Sequence, residues 1–358
     1  MRVTSRLRGE SGATAVIVAI MLLVLVGMLA LAVDGGLLWT KFRRLRSAND
    51  AAALAAAYSC AKGEGLAGAD AKAGEVALAN VTDASPTQPS EYPMGCEVNG
   101  GEVTTHFGGE QVLLFGPAVG VSSPKPVAAA ATAIWGGAGG ASNVVPLMLA
   151  MNRLSTCGIP FKVAPGDPCF FWWDNGTRND QSELTNAEWG LVDLNTWDTP
   201  PEDSCPGNAS QGEVSDWIYD GFPGTLMIVP AGGPVYVCRG AGFQGGALNN
   251  DITAQRGELL FFPVNDPYQQ VQAGGSLCGP DLLNGPCTVY RYAIVGFAVL
   301  EVVNVWTGQD AQTMCNHTAG NNGSLRCLEA VWRDFQPGGV MGLGGGQNFG
   351  LFAVALTG

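Results

Sequence analysis

A run of 21 residues without a single charge, from Ala13 to Val33, constrains this chain more than any other feature. As an α-helix with a rise of about 1.5 Å per residue, the run would be roughly 31 Å long, which matches the hydrocarbon thickness of a bilayer. A buried helix of a soluble domain is the alternative, but such helices seldom run so far without a polar face. The sequence therefore predicts a cytoplasmic tail over residues 1–12 and a transmembrane helix over residues 13–33.

The net charge of the chain changes from positive to negative shortly after this segment. Residues 1–46 carry seven basic and two acidic groups, whereas residues 47–358 carry 11 basic and 29 acidic groups. The acidic body would repel a polyanion, so nucleic acid is not expected as a partner. Basic groups lie on both sides of the apolar run, as expected near anionic lipid headgroups, and membrane lipid is a predicted partner. Because both flanks are basic, charge alone does not fix the orientation of the helix.

The helical pattern continues beyond the apolar run. Leu45, Asn49, Ala52 and Ala56 recur at spacings of four and three, which predicts one continuous helix to about residue 58. Residues 30–32 also fit the A-x-A pattern of a signal-peptidase site, so cleavage there is the alternative. The length of the apolar run and the continuing helix favour retention of the segment as an anchor.

The cysteines indicate that the body lies in an oxidising compartment. They are even in number, all follow the apolar run, and they are dispersed through a body rich in glycine and proline. The candidates for disulfides are Cys60, Cys96, Cys157, Cys169, Cys205, Cys238, Cys278, Cys287, Cys315 and Cys327. Short loops favour the pairs Cys157–Cys169, Cys278–Cys287 and Cys315–Cys327, although spacing leaves the full connectivity open. Without a C-x-x-C motif, and with only two histidines, a zinc site is not expected.

Three segments around the helix carry a resemblance to a known family: RGESGATAV at residues 8–16, AVDGG at residues 32–36 and SANDAAALAAA at residues 47–57. Together they resemble the N-terminal region of TadG-like (TadE/TadG-type) proteins of the Flp, or tight-adherence, pilus-assembly system. The resemblance implies a single-pass protein of the bacterial inner membrane, with its N-terminus inside and its body outside the cytoplasm. Prepilin-like relatives carry a glutamate soon after the Gly-Ala start, where this chain has Ile17. An anchor that is not processed therefore fits better than a pilin subunit.

Small residues along the span would let a second helix approach closely in lipid, where packing drives association. They are Gly12, Ala15, Ala19, Gly27 and Ala30. The predicted partners are other pilus-assembly or pilin-like membrane proteins, together with self-association. A lone anchor is the alternative, because the small residues do not form a strict G-x-x-x-G face.

The body is predicted to contain a small sheet followed by a larger β domain. A second helix near residues 69–79 and strand-like runs at 98–107, 112–121 and 127–135 give a helical stalk with a pilin-like sheet over residues 34–137. A glycine-rich linker at 136–140 separates this unit from a disulfide-rich, mainly β domain over residues 138–358. The clearest strand-like runs of that domain are 170–173, 189–194, 225–230, 234–238, 258–264, 289–303 and 349–356. The predicted fold class is α+β.

Several patterns partly match known functional motifs, but none predicts a catalytic residue, a metal ligand or a cofactor. Residues 240–245 match G-x-G-x-x-G but lack a following apolar helix, which favours a turn. Residues 83–87 partly match a D-x-S-x-S adhesion motif, although the prolines around them favour a loop. No G-x-S-x-G, H-E-x-x-H or P-loop occurs. The expected function is a non-catalytic, membrane-anchored component of a Flp pilus or related secretion assembly.

The main alternative function is an anchored surface module that binds glycan or calcium, and an envelope hydrolase is a weaker one. Acidic residues crowd the range 174–220, where loop carboxylates could bind calcium. The same region holds tryptophans 172, 173, 189, 197 and 217, and aromatic rings beside carboxylates also occur in sugar-binding clefts.

Overall fold

A computed structural model describes most of the chain. The described residues are 11–159, 166–173, 189–198, 205, 209–228, 234–240, 247–269, 271–272, 289–316, 325–332, 336–337 and 347–357. The α-helices are α1 Ser11–Ala61, α2 Gly65–Asn80, α3 Met151–Cys157, α4 Gln211–Asp220, α5 Ala247–Ala254 and α6 Gly308–Cys315. Two short 3-10 helices lie at Gly116–Val119 and Leu194–Thr196.

The strands are short in most places and form two main sheets. In chain order they are β1 Ser85–Pro86, β2 Gly100–Gln111, β3 Lys125–Gly137, β4 Gly140–Ser142, β5 Leu147–Ala150, β6 Pro168–Trp173, β7 Trp189–Leu191, β8 Thr225–Met227, β9 Val235–Cys238, β10 Leu259–Asn265, β11 Val271–Gln272, β12 Val289–Thr307, β13 Arg326–Val331, β14 Gln336–Pro337, β15 Gln347–Phe349 and β16 Leu351–Thr357.

Helix α1 is one unbroken rod of 51 residues, as its sequence pattern predicts. Within the described residues it is the one helix that is long and apolar enough to cross a membrane, with a mean hydropathy of 3.2 in its most apolar window. Gly35 and Gly36 lie inside it without interrupting it, although glycine is a poor helix former. At about 1.5 Å per residue the helix is roughly 75 Å long, and only its second half is packed against the body.

The first sheet packs against the second half of α1 and has the strand order β1-β2-β3-β16-β14. Strand β2 alternates, so that Val103, Thr105 and Phe107 are buried while their neighbours are more exposed. Helix α2 runs back along α1 through an alanine face at Ala69, Ala73 and Ala77, all fully buried. Alanine at every fourth position lets the two helices approach closely. The result is the pilin-like unit that the sequence predicts.

The second sheet is built around β12 and has the main strand order β6-β13-β12-β10-β5-β7, with β9, β11 and β15 also paired to β12. Strand β12 is 19 residues long and antiparallel to both β10 and β13. The residues from Ile294 to Leu300 are all buried, on both faces of the strand, and the lack of a side chain at Gly296 leaves room for Phe349. The few charges in this run therefore reflect a strand at the centre of the core.

The predicted strand over residues 349–356, expected in the mainly β domain, lies mostly in the first sheet. β16 pairs antiparallel with β3, from Phe352 opposite Gly137 to Thr357 opposite Thr132, and so completes the first sheet. The reason is a vacant edge, since β3 already pairs with β2 on its other side. The first sheet thus contains residues from both sides of the boundary predicted near residue 137.

The predicted strand over residues 112–121 is also wrong. This segment forms a loop with a 3-10 helix at Gly116–Val119, and it connects β2 to β3. Pro117 lacks the N–H that a strand ladder needs, and Gly120 has a positive φ of 82°. The apolar residues of the segment are therefore loop residues.

Four disulfides are present in the described part of the chain. Cys157–Cys169 and Cys315–Cys327 were predicted from their short loops and are confirmed, while Cys60–Cys96 and Cys205–Cys238 close longer loops. Cys278 and Cys287 lie outside the described residues, so their pairing stays a prediction. With the long apolar helix, mixed helices and strands, and these bonds, the predicted α+β fold class is confirmed.

The Cys60–Cys96 bond fastens the C-terminal end of α1 to the segment before β2. We expect the double variant Cys60→Ala with Cys96→Ala to lower the free energy of unfolding by about 3 to 4 kcal/mol, because the bond closes a loop of 36 residues. The matched double variant Cys315→Ala with Cys327→Ala opens a loop of 12 residues and should cost about 1 kcal/mol less. Thermal melting of the full chain in detergent measures both, and an equal loss in the two variants would contradict the expectation.

Candidate assembly site: the N-terminal helix and its attachments

The two halves of α1 have opposite surroundings. In the first half apolar side chains point outward on every face, and Leu23 and Leu31 are 74% and 79% exposed. In the second half Ala52, Ala56 and Cys60 are fully buried against the body. A contiguous apolar surface of this size does not persist in water, so the first half needs lipid or another protein around it.

A carboxylate marks the point where the helix enters the body. Asp34 is only 8% exposed, and it accepts backbone N–H bonds from Leu114 at 2.8 Å, Phe115 at 3.1 Å and Gly116 at 2.7 Å. The 3-10 turn at Gly116 directs these N–H groups toward one point, as at the N-terminus of any helix. Asp34 therefore attaches the loop between β2 and β3 to the first residue after the apolar run.

A second carboxylate attaches the next turns of α1. Lys41 forms a salt bridge with Asp83, and the other oxygen of Asp83 accepts the backbone N–H of Glu110 at 3.0 Å. The hydrogen bond from Lys41 is the main reason why the pKa of Asp83 lies below its usual value. Gly109 leaves room for this pair, because a Cβ at this position would lie 2.7 Å from the Asp83 carboxylate and would displace it. In the segment 83–87, whose partial adhesion-motif match was set against a predicted loop, the aspartate thus holds helix and strand together.

An amide performs the same task deeper in the body. The Asn49 side chain is fully buried, and its Oδ1 accepts the N–H of Phe107 at 2.9 Å. Its Nδ2 donates to the carbonyls of Phe107 at 3.2 Å and Leu45 at 2.9 Å. Asn49 therefore pairs with the backbone of β2 as a neighbouring strand would, and it fixes the helix along the sheet.

The far end of α1 is attached by a residue near the C-terminus. The buried Asn348 side chain donates to the carbonyls of Ala61 at 2.9 Å and Val98 at 3.0 Å, and it accepts the N–H of Gly350 at 3.0 Å. The Ala61 carbonyl belongs to the last turn of the helix, which has no partner inside the helix itself. Tyr58 also makes an edge-to-face contact with Phe352, with 5.2 Å between the ring centres.

The small residues predicted as a helix-packing face differ in their accessibility. Ala15 and Ala19 are exposed, and Gly27 is partly exposed with open space around it. Ala30 is 7% exposed, because its own chain covers it one turn before Asp34. Gly12 lies in the first turn of α1. The partner contact stays a prediction for Gly12, Ala15, Ala19 and Gly27, while Ala30 already has its packing partner within the chain.

The tryptophans that suggested a glycan site pack inside the body where they are described. Trp172 is buried, Trp197 stacks on Phe297 with ring centres 5.9 Å apart, and Trp217 contacts Phe222 edge-on at 5.3 Å. Trp189 begins β7 and Trp173 ends β6. The side chains of Trp172, Trp197 and Trp217 therefore pack against core residues, while those of Trp173 and Trp189 lie outside the described part of the structure, so the glycan alternative stays a prediction there.

Much of the acidic region and most of the glycine motif fall outside the described residues. Residues 174–188 and 241–246 are among these, so the calcium and turn expectations there stay predictions. In the described ranges, no three Asp, Glu, His or Cys side chains form a group that could hold a metal ion. Asp193 is buried, accepts N–H bonds from Asn195 at 3.2 Å and Ala209 at 3.0 Å, and has its pKa raised by burial. Its bonds fix the loop before α4.

The attachment residues Asp34, Asn49 and Asn348 were not predicted as functional residues. One signal was available for Asn49, because a polar residue interrupts the apolar face formed by Leu45, Ala52 and Ala56. Asparagine on a buried helix face indicates a buried hydrogen-bond partner. Asp34 and Asn348 carried no such signal, since their partners lie far away along the sequence.

A comparison with known protein families finds a match to this same helix. Residues 12–59 match the family described as "Putative Flp pilus-assembly TadE/G-like". No curated protein and no solved structure gives a significant match to the chain. The N-terminal region is therefore TadE/TadG-like, as its sequence resemblance indicated. The match includes both the exposed half of α1 and the half packed in the body.

Removing the Asp34 carboxylate should release the loop that it holds. We expect Asp34→Ala to cost about 1 to 3 kcal/mol locally, because three backbone N–H groups lose a charged acceptor. Hydrogen exchange at Leu114, Phe115 and Gly116 should then accelerate roughly 5- to 100-fold. The control is Asp50→Ala on the same helix, about 24 Å from Asp34 along the axis. Unchanged exchange in Asp34→Ala would contradict the attachment.

The buried amide of Asn49 should matter more than an exposed amide of the same type. Asn49→Ala leaves the Phe107 N–H and C=O without their partner, and we expect a loss of about 2 kcal/mol in the free energy of unfolding. Asn80→Ala is the matched control, because the Asn80 side chain is exposed and bonds only to Val76 one turn earlier. It should change stability by no more than about 0.5 kcal/mol. Thermal melting of the full chain in detergent tests this, and equal effects would refute it.

Proposed function

We propose that this protein is a membrane-anchored, non-catalytic component of a Flp (tight-adherence) pilus or a related secretion assembly. The observation that carries the proposal is that the family match covers helix α1, whose first half is exposed and apolar and whose second half is packed in the body. The matched residues 12–59 extend from the exposed apolar surface of α1 into the body. A pilus-related role follows from the family, and the exposed apolar half gives the means of anchoring.

The proposed location is the bacterial inner membrane, with the N-terminus inside and the body outside the cytoplasm. The disulfides support this orientation, because bonds such as Cys60–Cys96 and Cys205–Cys238 form and persist in oxidising compartments. The acidic body would then stand in the extracytoplasmic space on a helix that continues directly from the membrane.

The proposed mode of action is helix packing within the membrane combined with contacts of the body outside it. Ala15 and Ala19 lie on an exposed stretch of α1 where a second helix could approach closely. The non-catalytic role is part of this proposal. Asp34, Asn49 and Asn348 accept backbone N–H groups with their side-chain oxygens, which is a structural use of these residues.

Purification of the intact protein from bacterial membranes tests the proposal. After cross-linking in cells, we expect other pilus-assembly membrane proteins to co-purify with it. Ala19→Leu should reduce this co-purification severalfold, because a larger side chain separates the packed helices. Val18→Leu is the matched control, since Val18 is an already bulky exposed neighbour on a different helix face.

Two outcomes would contradict the proposal at different levels. A protein that fails to fractionate with membranes and begins at Val33 would refute the anchor. A membrane-bound protein whose neighbours contain no pilus-assembly component would leave the anchor in place and refute the assembly role.

A further inference from the structure

The loop between β2 and β3 exposes an apolar surface without any charge. We call residues 112–121 (VLLFGPAVGV) the exit loop, and its nearest charged neighbours in sequence are Glu110 and Lys125. Val112 and Leu114 are 61% and 66% exposed, and Val121 is exposed as well. Water-facing loops of soluble proteins are typically polar, so a loop of this composition indicates an apolar neighbour.

The exit loop lies at the level where the apolar half of α1 ends. Asp34 holds the backbone N–H groups of Leu114 and Gly116, and it directly follows the uncharged run. Ala30 is buried one turn earlier on the same face of the helix, so part of the body covers the helix there. Since four residues of helix span about 6 Å, the body reaches roughly one turn into the apolar run at the level of the loop.

Several backbone N–H groups of the exit loop are hydrogen-bonded within the protein, as is needed where water is scarce. Besides the three bonds to Asp34, Leu113 N–H donates to the Ser123 hydroxyl at 2.9 Å. Within the loop, Ala118 N–H donates to Phe115 at 3.0 Å and Val121 N–H to Gly116 at 2.9 Å. Irregular backbone enters the membrane region only where such groups are satisfied by protein.

We propose that the exit loop inserts Val112, Leu114 and Val121 into the leaflet on the side of the body, next to the anchor helix. The occupant of this surface is lipid, because Asp34 holds the uncharged loop at the end of the apolar run, where Leu31 is 79% exposed one turn earlier on the helix. This inference rests on the proposed membrane anchor. Contact through both the helix and the loop fixes the tilt and rotation of the body relative to the bilayer, which a single helix would leave free.

Site-specific photo-cross-linking in liposomes tests the inference on the full chain. A benzophenone amino acid replaces one leucine at a time, and the lipid carries an alkyne tag that allows labelled protein to be detected. Leu23 in the span is the positive control, and Leu66 at the start of α2 is the matched negative control, because it is 50% exposed. Leu66 follows the far end of α1, about 40 Å along the helix from Asp34. We expect lipid labelling at position 114 to exceed that at position 66 at least fivefold.

The controls separate the failure of this inference from the failure of the anchor. Labelling at position 23 with only background labelling at position 114 would overturn the loop contact and leave the anchor intact. Cross-links from position 114 to a second copy of the chain, without lipid, would assign the loop to a protein interface and also overturn it. Absence of labelling at position 23 would refute the membrane anchor itself.

Discussion

A single helix in this protein lies in two different surroundings, and the rest of the structure is arranged around the change from one to the other. Its first half is apolar on every face, while its second half forms part of a folded body. The change occurs at Asp34, a buried carboxylate whose oxygens are occupied by three backbone N–H groups. A charge this close to an apolar run is tolerable because it is fully hydrogen-bonded. The body is thereby fixed to the helix at its first turn beyond the apolar run.

The second half of the helix packs mainly through alanine, which buries little area per residue. Hydrophobic burial at Ala52, Ala56 and Ala57 therefore contributes less than larger side chains would at the same positions. Polar attachments compensate by specifying where the helix lies along the sheet. Asn49 pairs with the backbone of β2, Asn348 holds the last turn, and Cys60–Cys96 ties the end covalently. Each attachment is directional, so together they select one register for a face that is otherwise repetitive.

The sequence was most informative where a pattern is local. The uninterrupted apolar run, the continuing helix and the Cys157–Cys169 and Cys315–Cys327 pairs depend on neighbours in the chain, and the structure contains all of them. The residues 112–121 look like a strand because their apolar composition fits one, yet Pro117 and the bonds to Asp34 turn them into a loop. Local composition cannot reveal a partner 82 residues away.

The same limit explains what was missed at the candidate site and in the topology. Asn348 binds Ala61 across 287 residues, and no spacing rule connects the two. The return of β16 to the first sheet depends on which strand edge is left open after β2 and β3 pair, and that is a property of the folded arrangement. The helix-packing role of Ala15 and Ala19 depends on a second molecule and stays a prediction.

The return of the last strand has a consequence for the order in which the molecule is made. Thr357 bonds to Thr132 across 225 residues, so the first sheet is incomplete until residues 351–357 are available. If the body is exported from its N-terminal end, the anchor is already in place while β3 still presents an open edge. Closing such a long loop is entropically costly and slow compared with local pairing. The unit nearest the membrane is thus completed only after residues 351–357 have been exported, which would delay any assembly that depends on a finished stalk.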